Sequence, residues 1–265
     1  MHLDEASGNL MMSVFDGHGE AGDLVSQHFR AKFPTAVFGD ADSKKGPEGA
    51  NLAQAKYFIS LEAELLNDGS IDTDFSGTTA VSSIIFPKER KLATANAGDS
   101  RVILGELDAA TGKLVAREIS IDHKPDSPEE KKRILAAGGR VFAVQYEDGV
   151  DGPARVWLSN MDIPGLAMAR SLCDAVAHQA GVISEAECFV HDLLPTTKVL
   201  ITASDGLWEF IENQEVLDLI QHCVADAKAD EALKILVAES KKRWMTEEQV
   251  VDDTTIGIVF FNIPE

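Results

Sequence analysis

The sequence has little cysteine, and its few cysteines show no metal-binding or redox spacing. Its 265 residues contain three cysteines, Cys173, Cys188 and Cys223, and none of them forms a C-x-x-C pair. A disulfide framework or a thiolate zinc site is therefore not expected, and a reducing compartment is predicted. His222 is adjacent to Cys223 on a predicted helix, where neighbouring side chains point in different directions. These two side chains are not expected to share a metal.

Segments that cross or enter membranes are also missing. No apolar run approaches the ~20 residues that span a bilayer. The first residues, Met1–Glu5, lack the basic and then apolar pattern of a signal peptide. These absences predict an intracellular protein, cytoplasmic or nuclear, with no membrane span.

Basic residues are few relative to acidic ones. The chain has 24 Lys and Arg against 44 Asp and Glu, which gives a formal net charge of −20. Such a chain is repelled by polyanions, so nucleic acid and anionic membranes are not expected as partners. The excess acid is typical of a soluble surface, but it also permits a site that gathers carboxylates around a divalent cation.

What is present is an ordinary globular composition, with 45% hydrophobic and 26% charged residues and no linker. One domain over 1–265 is therefore predicted. Hydrophobic periodicity predicts a β-rich middle flanked by pairs of helices. The predicted strands cover 10–15, 81–86, 92–97, 101–104, 114–119, 141–145, 154–158, 199–203 and 255–260. The predicted helices cover 21–34, 52–66, 128–137, 213–224 and 230–244.

Four details of this prediction are open to test. Pro34 is expected to end the first helix, and Glu62 is expected at the edge of the apolar stripe of the second. The strands from 81 to 119 are expected to form a meander, and a hairpin is expected around 147–149. The simplest packing of this order is an α+β sandwich with α/β/β/α layers, in which helix pairs flank two antiparallel sheets.

Three aspartates stand where an apolar strand meets a turn: Asp16, Asp205 and Asp252. Strand ends from two packed sheets can meet at one edge. Carboxylates within ~4 Å of one another repel by roughly 4 kcal/mol per pair, so such a cluster persists only with a cation or with protons. Oxygen ligands favour Mg²⁺ or Mn²⁺ over zinc. The alternative is three unrelated aspartates at turns, where Asp is common, and spacing alone leaves both open.

Short motifs follow one another in a specific order along nearly the whole chain. They are Val14-Phe15-Asp16-Gly17-His18-Gly19, Ser76-Gly77-Thr78-Thr79-Ala80, Ala95-Asn96-Ala97-Gly98-Asp99-Ser100-Arg101, Asp122-His123-Lys124-Pro125, Ala137-Gly138-Gly139, Leu166-Ala167-Met168-Ala169-Arg170-Ser171-Leu172, Ala203-Ser204-Asp205-Gly206-Leu207-Trp208 and Asp252-Asp253-Thr254-Thr255. In this order they resemble the metal-dependent serine/threonine protein phosphatases of type 2C, the PPM family.

The resemblance implies two Mg²⁺ or Mn²⁺ ions at one edge of a helix-flanked sandwich, with a phosphoprotein as substrate. Asp16 would bridge both metals in the catalytic centre, and the Gly17 carbonyl would bind one of them. Asp205 and Asp252 would complete the other. His18 matches the general acid for the leaving oxygen. Oligomeric state is not indicated.

The resemblance also implies a third, weaker metal site. Asp122, Asp205 and Glu209 match its ligands, and Glu209 replaces the usual aspartate with a side chain one methylene longer.

Two departures from the family pattern affect these expectations. The family usually begins with a strand that carries a phosphate-binding Arg and a Glu-Asp pair, whereas only 15 residues precede Asp16 and none is Arg. The loss of the first strand, of one metal ligand and of the phosphate-binding Arg is therefore expected, together with an unpaired sheet edge and low activity. Cys173 replaces a glycine before Asp174, at a turn that favours φ > 0. Three alternatives stay open: an active phosphatase, a phosphatase-fold binding module without turnover, and an acidic scaffold without metal.

Overall fold

A computed structural model describes residues 1–146 and 149–264. Its strands are β1 (His2–Asp4), β2 (Asn9–Val14), β3 (Gly17–His18), β4 (Gly77–Thr78), β5 (Ala80–Phe86), β6 (Lys91–Ala97), β7 (Arg101–Leu107), β8 (Leu114–Glu118), β9 (Arg140–Tyr146), β10 (Gly149–Trp157), β11 (Pro164–Leu166), β12 (Leu172–Cys173), β13 (Glu187–Asp192), β14 (Thr197–Ala203) and β15 (Ile256–Phe260). Its α-helices are α1 (Gly22–Gly39), α2 (Pro47–Asp68), α3 (Pro128–Ala136), α4 (Ala175–His178), α5 (Asp205–Trp208), α6 (Asn213–Val224) and α7 (Ala229–Glu247). Residues 147 and 148 of the predicted hairpin lie outside the described residues.

Two antiparallel sheets form the centre of the fold. In spatial order, the first is β1-β2-β5-β6-β13 and the second is β15-β14-β7-β8. Their facing surfaces bury an apolar layer that includes Met12, Val81, Val102, Leu104 and Leu200. Each such side chain contributes about 1.5–3 kcal/mol when it leaves water, so the two sheets hold each other in place.

Helix pairs cover both outer faces. Phe29 and Phe33 of α1 and Phe58 of α2 pack in one core with residues of the first sheet. Leu217 of α6 and Leu236 of α7 pack in a second core with residues of the second sheet. The α+β prediction with α/β/β/α layers is therefore confirmed.

The prediction that Pro34 ends the first helix is wrong. Pro34 lies inside α1 and does not end it. The buried Phe33 and Val37 lie on either side of the proline, and their burial offsets the roughly 3 kcal/mol that an interior proline costs.

The helical spacing of Leu52, Ile59 and Leu66 predicts an apolar stripe on α2, but these residues do not form its buried face. Leu52 is 64% exposed and Ile59 is 46% exposed, whereas Phe58, Leu61 and Leu65 are buried. Both sets of residues repeat at helical spacing, so periodicity alone could not choose between two rotations of the same helix.

The predicted meander is also wrong. β5 pairs with β6 in the first sheet, whereas β7 pairs with β8 and β14 in the second. The chain therefore crosses between the sheets at 98–100, where Gly98 has a φ of +117°. This crossing places Asp99 at an edge that both sheets share.

The edge beside β2 is only partly unpaired. His2–Asp4 pairs with Asn9–Met11, whereas Met12–Val14 pairs on the other side with β5. The described part of the chain has no strand against the free side of Met12–Val14. Among the described helices, none combines the length and the apolar character that a membrane span requires.

Candidate metal centre

Asp16 follows β2 directly and its backbone is held on both sides by Thr79. The Asp16 N–H donates to the Thr79 hydroxyl at 3.1 Å, and the Thr79 N–H donates to the Asp16 carbonyl at 2.9 Å. The Thr79 hydroxyl also bonds the Ser100 hydroxyl at 2.7 Å. The motif that leads into β5 and the crossing segment before β7 therefore fix the position of Asp16.

Asp205 opens α5, immediately after β14. The Ser204 N–H donates to the Thr255 carbonyl at 3.1 Å, and the Thr255 N–H donates to the Ser204 hydroxyl at 3.0 Å. A Cβ on Gly206 would lie 2.4 Å from the Asp253 carbonyl oxygen. Only glycine allows this approach, which brings the start of α5 against the segment that carries Asp252.

Asp16 and Asp205 lie at the centre of a carboxylate cluster. Their carboxyl groups are hydrogen-bonding neighbours, and the charges of Asp99 and Asp252 act on both. Burial raises the pKa of Asp205 to about 8, and the charges of Asp99 and Asp16 add to this effect. Burial likewise raises the pKa of Asp16 to about 6, although its hydrogen bond with Asp205 opposes the shift. The two strand ends do meet at one edge.

Asp252 is near this centre but more open to solvent. Its side chain is exposed, and its Oδ1 accepts a hydrogen bond from the Asp253 N–H at 2.8 Å. Its charge raises the pKa of both Asp16 and Asp205. The structure thus brings two of the three predicted aspartates into contact and places the third within electrostatic range.

The donor set fits a hard divalent cation. Asp205 Oδ1 and Asp99 Oδ1 are buried without a hydrogen-bond partner among the described residues. Buried carboxylate oxygens without partners are costly, and a bound cation would satisfy them. The donors are all oxygens, which is the set that Mg²⁺ and Mn²⁺ prefer.

One of the three residues predicted for a third metal, Asp122, is paired with a cation of the chain itself, and a second cation lies nearby. Arg101 holds Asp122 in a bidentate ion pair, with Nε–Oδ1 at 2.9 Å and Nη2–Oδ2 at 2.6 Å. Lys124 Nζ lies 2.7 Å from Asp99 Oδ2, and the charges of Asp122 and Glu209 also act on it. Glu209 is exposed. A third metal there would have to compete with two protein cations, so this site stays a prediction.

His18 is held by Asp174, an aspartate outside the predicted set of site residues. His18 Nε2 lies 2.6 Å from Asp174 Oδ2, and Asp174 is almost fully buried. The burial of His18 lowers its pKa, but its hydrogen bond and ion pair with Asp174 oppose this, and the net effect is a raised pKa. The histidine is therefore poised to carry a proton.

A small sheet brings these two side chains together. β3 and β12 both pair with β4, so His18 and Cys173 share Gly77 as a neighbour. A Cβ on Gly77 would lie 2.1 Å from Asp174 Oδ2, which makes glycine necessary there. Cys173 has a φ of +73° and Asp174 a φ of +51°. The expectation of positive φ at Cys173 is confirmed, and this departure was the sequence signal for the turn.

Glu62 holds the turn at Cys173 and Asp174 in place. Its side chain is buried, in contrast to the predicted position at the edge of the helix stripe. It accepts hydrogen bonds from the Cys173 N–H at 2.7 Å and from the Ser184 hydroxyl. The His178 imidazole lies 3.6 Å away. A carboxylate inside an apolar helix face therefore marks the anchor of the Asp174 turn.

We expect Glu62→Ala to lower the free energy of unfolding by about 3 kcal/mol, because two buried donors lose their acceptor. Urea denaturation measures this change. Glu62→Gln keeps one acceptor and should cost less. Glu64→Ala is the matched control on the same helix, since Glu64 is 52% exposed, and it should stay within about 0.5 kcal/mol of wild type. Equal losses at positions 62 and 64 would contradict the assignment of Glu62 as an anchor.

A cavity of about 260 Å³ adjoins His18 and Asp174. Phe75, Arg155 and Met168 are among its other lining residues. Arg155 donates to the Gly165 carbonyl at 2.8 Å, which positions a cation near the histidine. This arginine lies in a hairpin without any motif, so the sequence carries no signal for it.

Comparison with known proteins gives a consistent family. A sequence profile described as Protein phosphatase 2C matches residues 9–252. A rice protein (Oryza sativa subsp. japonica) named Probable protein phosphatase 2C 64 is 36% identical over 258 residues, which cover 96% of this chain and 58% of that protein. An Arabidopsis thaliana protein named Probable protein phosphatase 2C 73 is 30% identical over 274 residues, which cover 96% of this chain and 71% of that protein.

The chain therefore spans 58% of the length of the rice relative. Among solved structures, the crystal structure of serine-threonine phosphatase 2C from Toxoplasma gondii superposes with a TM-score of 0.70 at 21% identity. The match covers 96% of this chain and 85% of that one. At this identity the likeness concerns the fold.

Proposed function

Because the chain belongs to the protein phosphatase 2C family, we propose that it hydrolyses phosphoserine and phosphothreonine in proteins with two bound Mg²⁺ or Mn²⁺ ions. The observation that carries this proposal is the close approach of the half-buried Asp16 and Asp205 carboxyl groups, with a buried oxygen on Asp205 that has no hydrogen-bond partner among the described residues. Such a cluster is a poor structural element and a good cation site.

The proposed ligands follow from this cluster. Asp16 would bridge both ions, the Gly17 carbonyl would bind one, and Asp205 and Asp252 would hold the other. Asp122, Asp205 and Glu209 would form the weaker third site. Bound divalent ions lower the pKa of water and neutralise phosphate oxygens. Without them, the carboxylates of the chain would repel a phosphate dianion from the site.

His18 is the proposed general acid. Asp174 engages its Nε2, and its Nδ1 is buried without a partner among the described residues. Nδ1 is therefore the atom left to carry a proton toward the leaving oxygen of the serine or threonine. Asp174 acts as a positioning residue, because it orients the ring and favours its protonated form.

We expect His18→Gln to reduce kcat for a phosphothreonine peptide by about 100-fold, because an alkoxide leaving group needs a proton. The same variant should change kcat for an aryl phosphate by about twofold or less, since a nitrophenolate leaves unprotonated. Steady-state kinetics on both substrates with Mn²⁺ measure the contrast. Equal losses on the two substrates would contradict a general acid role. His2→Gln is the control, because His2 is an exposed histidine in β1.

Asp174→Asn tests whether Asp174 acts on the protonation of His18 or only stabilises the fold. The asparagine removes the charge that raises the pKa of His18. The alkaline limb of the pH–rate profile should therefore move to lower pH for the peptide substrate. A uniform loss of rate without a shifted limb would indicate a structural role only.

The alternative is a phosphatase-fold module that binds phosphoproteins without turnover, and family membership does not favour it. Mn²⁺-dependent phosphate release from a phosphothreonine peptide, with EDTA as the blank, distinguishes the two. Release above the blank supports the enzyme. Binding of Mn²⁺ and of the peptide without release would support the module. Arg155 in the adjoining cavity is a cation that could orient the phosphate in either case.

A further inference from the structure

A second group of metal-ligating side chains lies where α6 meets α7. His222 Nε2 is 3.5 Å from Cys223 Sγ and 3.5 Å from Glu231 Oε1. The three donor atoms all lie within 4.8 Å of one another. The prediction that His222 and Cys223 point apart is wrong, because His222 Nε2 lies 3.5 Å from the Cys223 thiol in the last turn of α6.

Two of these three separations match a tetrahedral zinc site. With Zn–S bonds of about 2.3 Å and Zn–N or Zn–O bonds of about 2.0–2.2 Å, ligand atoms at tetrahedral angles lie about 3.3–3.6 Å apart. Two of the three observed distances fall in this range. The third distance is at most 4.8 Å, so a side-chain movement of at most about 1.2 Å would bring it into this range.

The fold holds the three ligands in place from two helices. The Lys228 N–H donates to the Cys223 carbonyl at 2.9 Å, which closes the turn before α7, and Glu231 lies in the first turn of α7. Cys223 is buried in the core between α6, α7 and the second sheet. The side chains of His222 and Glu231 are 58% and 48% exposed. A cation could therefore enter from solvent without opening the fold.

Lys228 lies near the Glu231 carboxylate but contacts the oxygen that faces away from His222. Lys228 Nζ lies 3.7 Å from Glu231 Oε2, whereas Oε1 faces His222. The ammonium group weakens the attraction for a cation but does not occupy the donor that the site needs. A mixed set of nitrogen, sulfur and oxygen donors selects zinc-like ions over Mg²⁺.

We propose that His222, Cys223 and Glu231 form a binding site for Zn²⁺ or a similar borderline-soft divalent cation, separate from the carboxylate cluster, with the fourth position open to water. Binding releases the thiol proton to solvent, so the affinity increases with pH. The bound ion would link α6 to α7 and stiffen the helix pair that covers the second sheet.

Co²⁺ titration of the full chain tests the proposal, because thiolate coordination produces a charge-transfer band in the near ultraviolet that oxygen ligands do not produce. We expect the band in wild type and in Asp16→Asn, which removes a central ligand of the other site. We expect it to disappear in Cys223→Ser. Cys188→Ser is the matched control, since Cys188 is a free cysteine elsewhere in the fold, and it should retain the band.

Zn²⁺ should displace Co²⁺ and abolish the band. The Kd for Zn²⁺, measured by this competition, should rise at least about 100-fold in His222→Ala and in Glu231→Gln. Both substitutions are at exposed positions and keep the core, so they test the site even if Cys223→Ser fails to fold. The absence of a thiolate band in reduced wild type would overturn the proposal, as would a band that survives in His222→Ala with unchanged Zn²⁺ affinity.

Discussion

Replacing Asp16 by asparagine should reduce kcat/KM for a phosphothreonine peptide in Mn²⁺ by about 1,000-fold or more. The loss follows from the position of Asp16. Its carboxylate lies beside that of Asp205, and the charges of Asp252 and Asp99 raise its pKa. Asparagine keeps the shape but removes the charge that would hold two cations together. Electrostatic groups at reacting centres typically contribute at this scale.

Misfolding is distinguishable from lost chemistry in this experiment. In EDTA, Asp16→Asn should unfold at the same temperature as wild type or higher, because it removes repulsion from the cluster. Asp23→Asn is the control, since Asp23 is an exposed aspartate in the first turn of α1, and it should keep the wild-type rate. An Asp16→Asn protein that retains most of the Mn²⁺-dependent rate would refute the proposed function.

Mn²⁺ at 100 times its Kd should raise the unfolding temperature of the wild-type chain by about 5–10 °C, which corresponds to about 2.7 kcal/mol of binding. Asp205→Asn should unfold at a higher temperature than wild type in EDTA and show little shift with Mn²⁺. The reason is that Asp205 has the most strongly raised pKa of the cluster and offers an oxygen without a partner. Scanning calorimetry with and without Mn²⁺ measures both effects.

The free energy of unfolding of the metal-free protein should change with pH in one direction. Burial raises the pKa of Asp16 to about 6 and of Asp205 to about 8, against an ordinary value near 3.9. The folded state therefore binds more protons than the unfolded state between these values. The free energy of unfolding should decrease as pH rises from about 4 to about 8, by at most about 1.4 kcal/mol per pH unit for each group.

Asp205→Asn should flatten this decrease, and Mn²⁺ should reverse it, because the cation binds only the deprotonated carboxylates. Urea denaturation in EDTA across this pH range is the measurement. A wild-type protein that gains stability from pH 5 to pH 8 without metal would show that the carboxylates do not repel one another as the structure indicates.

The sequence by itself determined the family, the class of fold and the ends of most strands. The ordered motifs from Val14 to Thr255 carry the resemblance, and the matching profile confirms it. Strand ends were readable because apolar runs stop abruptly at Asp-Gly turns, which mark Asp16 and Asp205 without any knowledge of their neighbours. The roles of Gly17, Asp122 and Glu209 rest on the resemblance and stay predictions.

Only the tertiary structure decided which distant groups meet. His18 and Asp174 are 156 positions apart, and neither their pairing nor the contact between Glu62 and the turn at Cys173 has a local signal. The same limit applies to α2, where two sets of residues fit the helical period, and to the crossing at 98–100, where adjacent strands enter different sheets. Local patterns report which residues avoid water, whereas the partner of each buried face is set by packing of the whole chain.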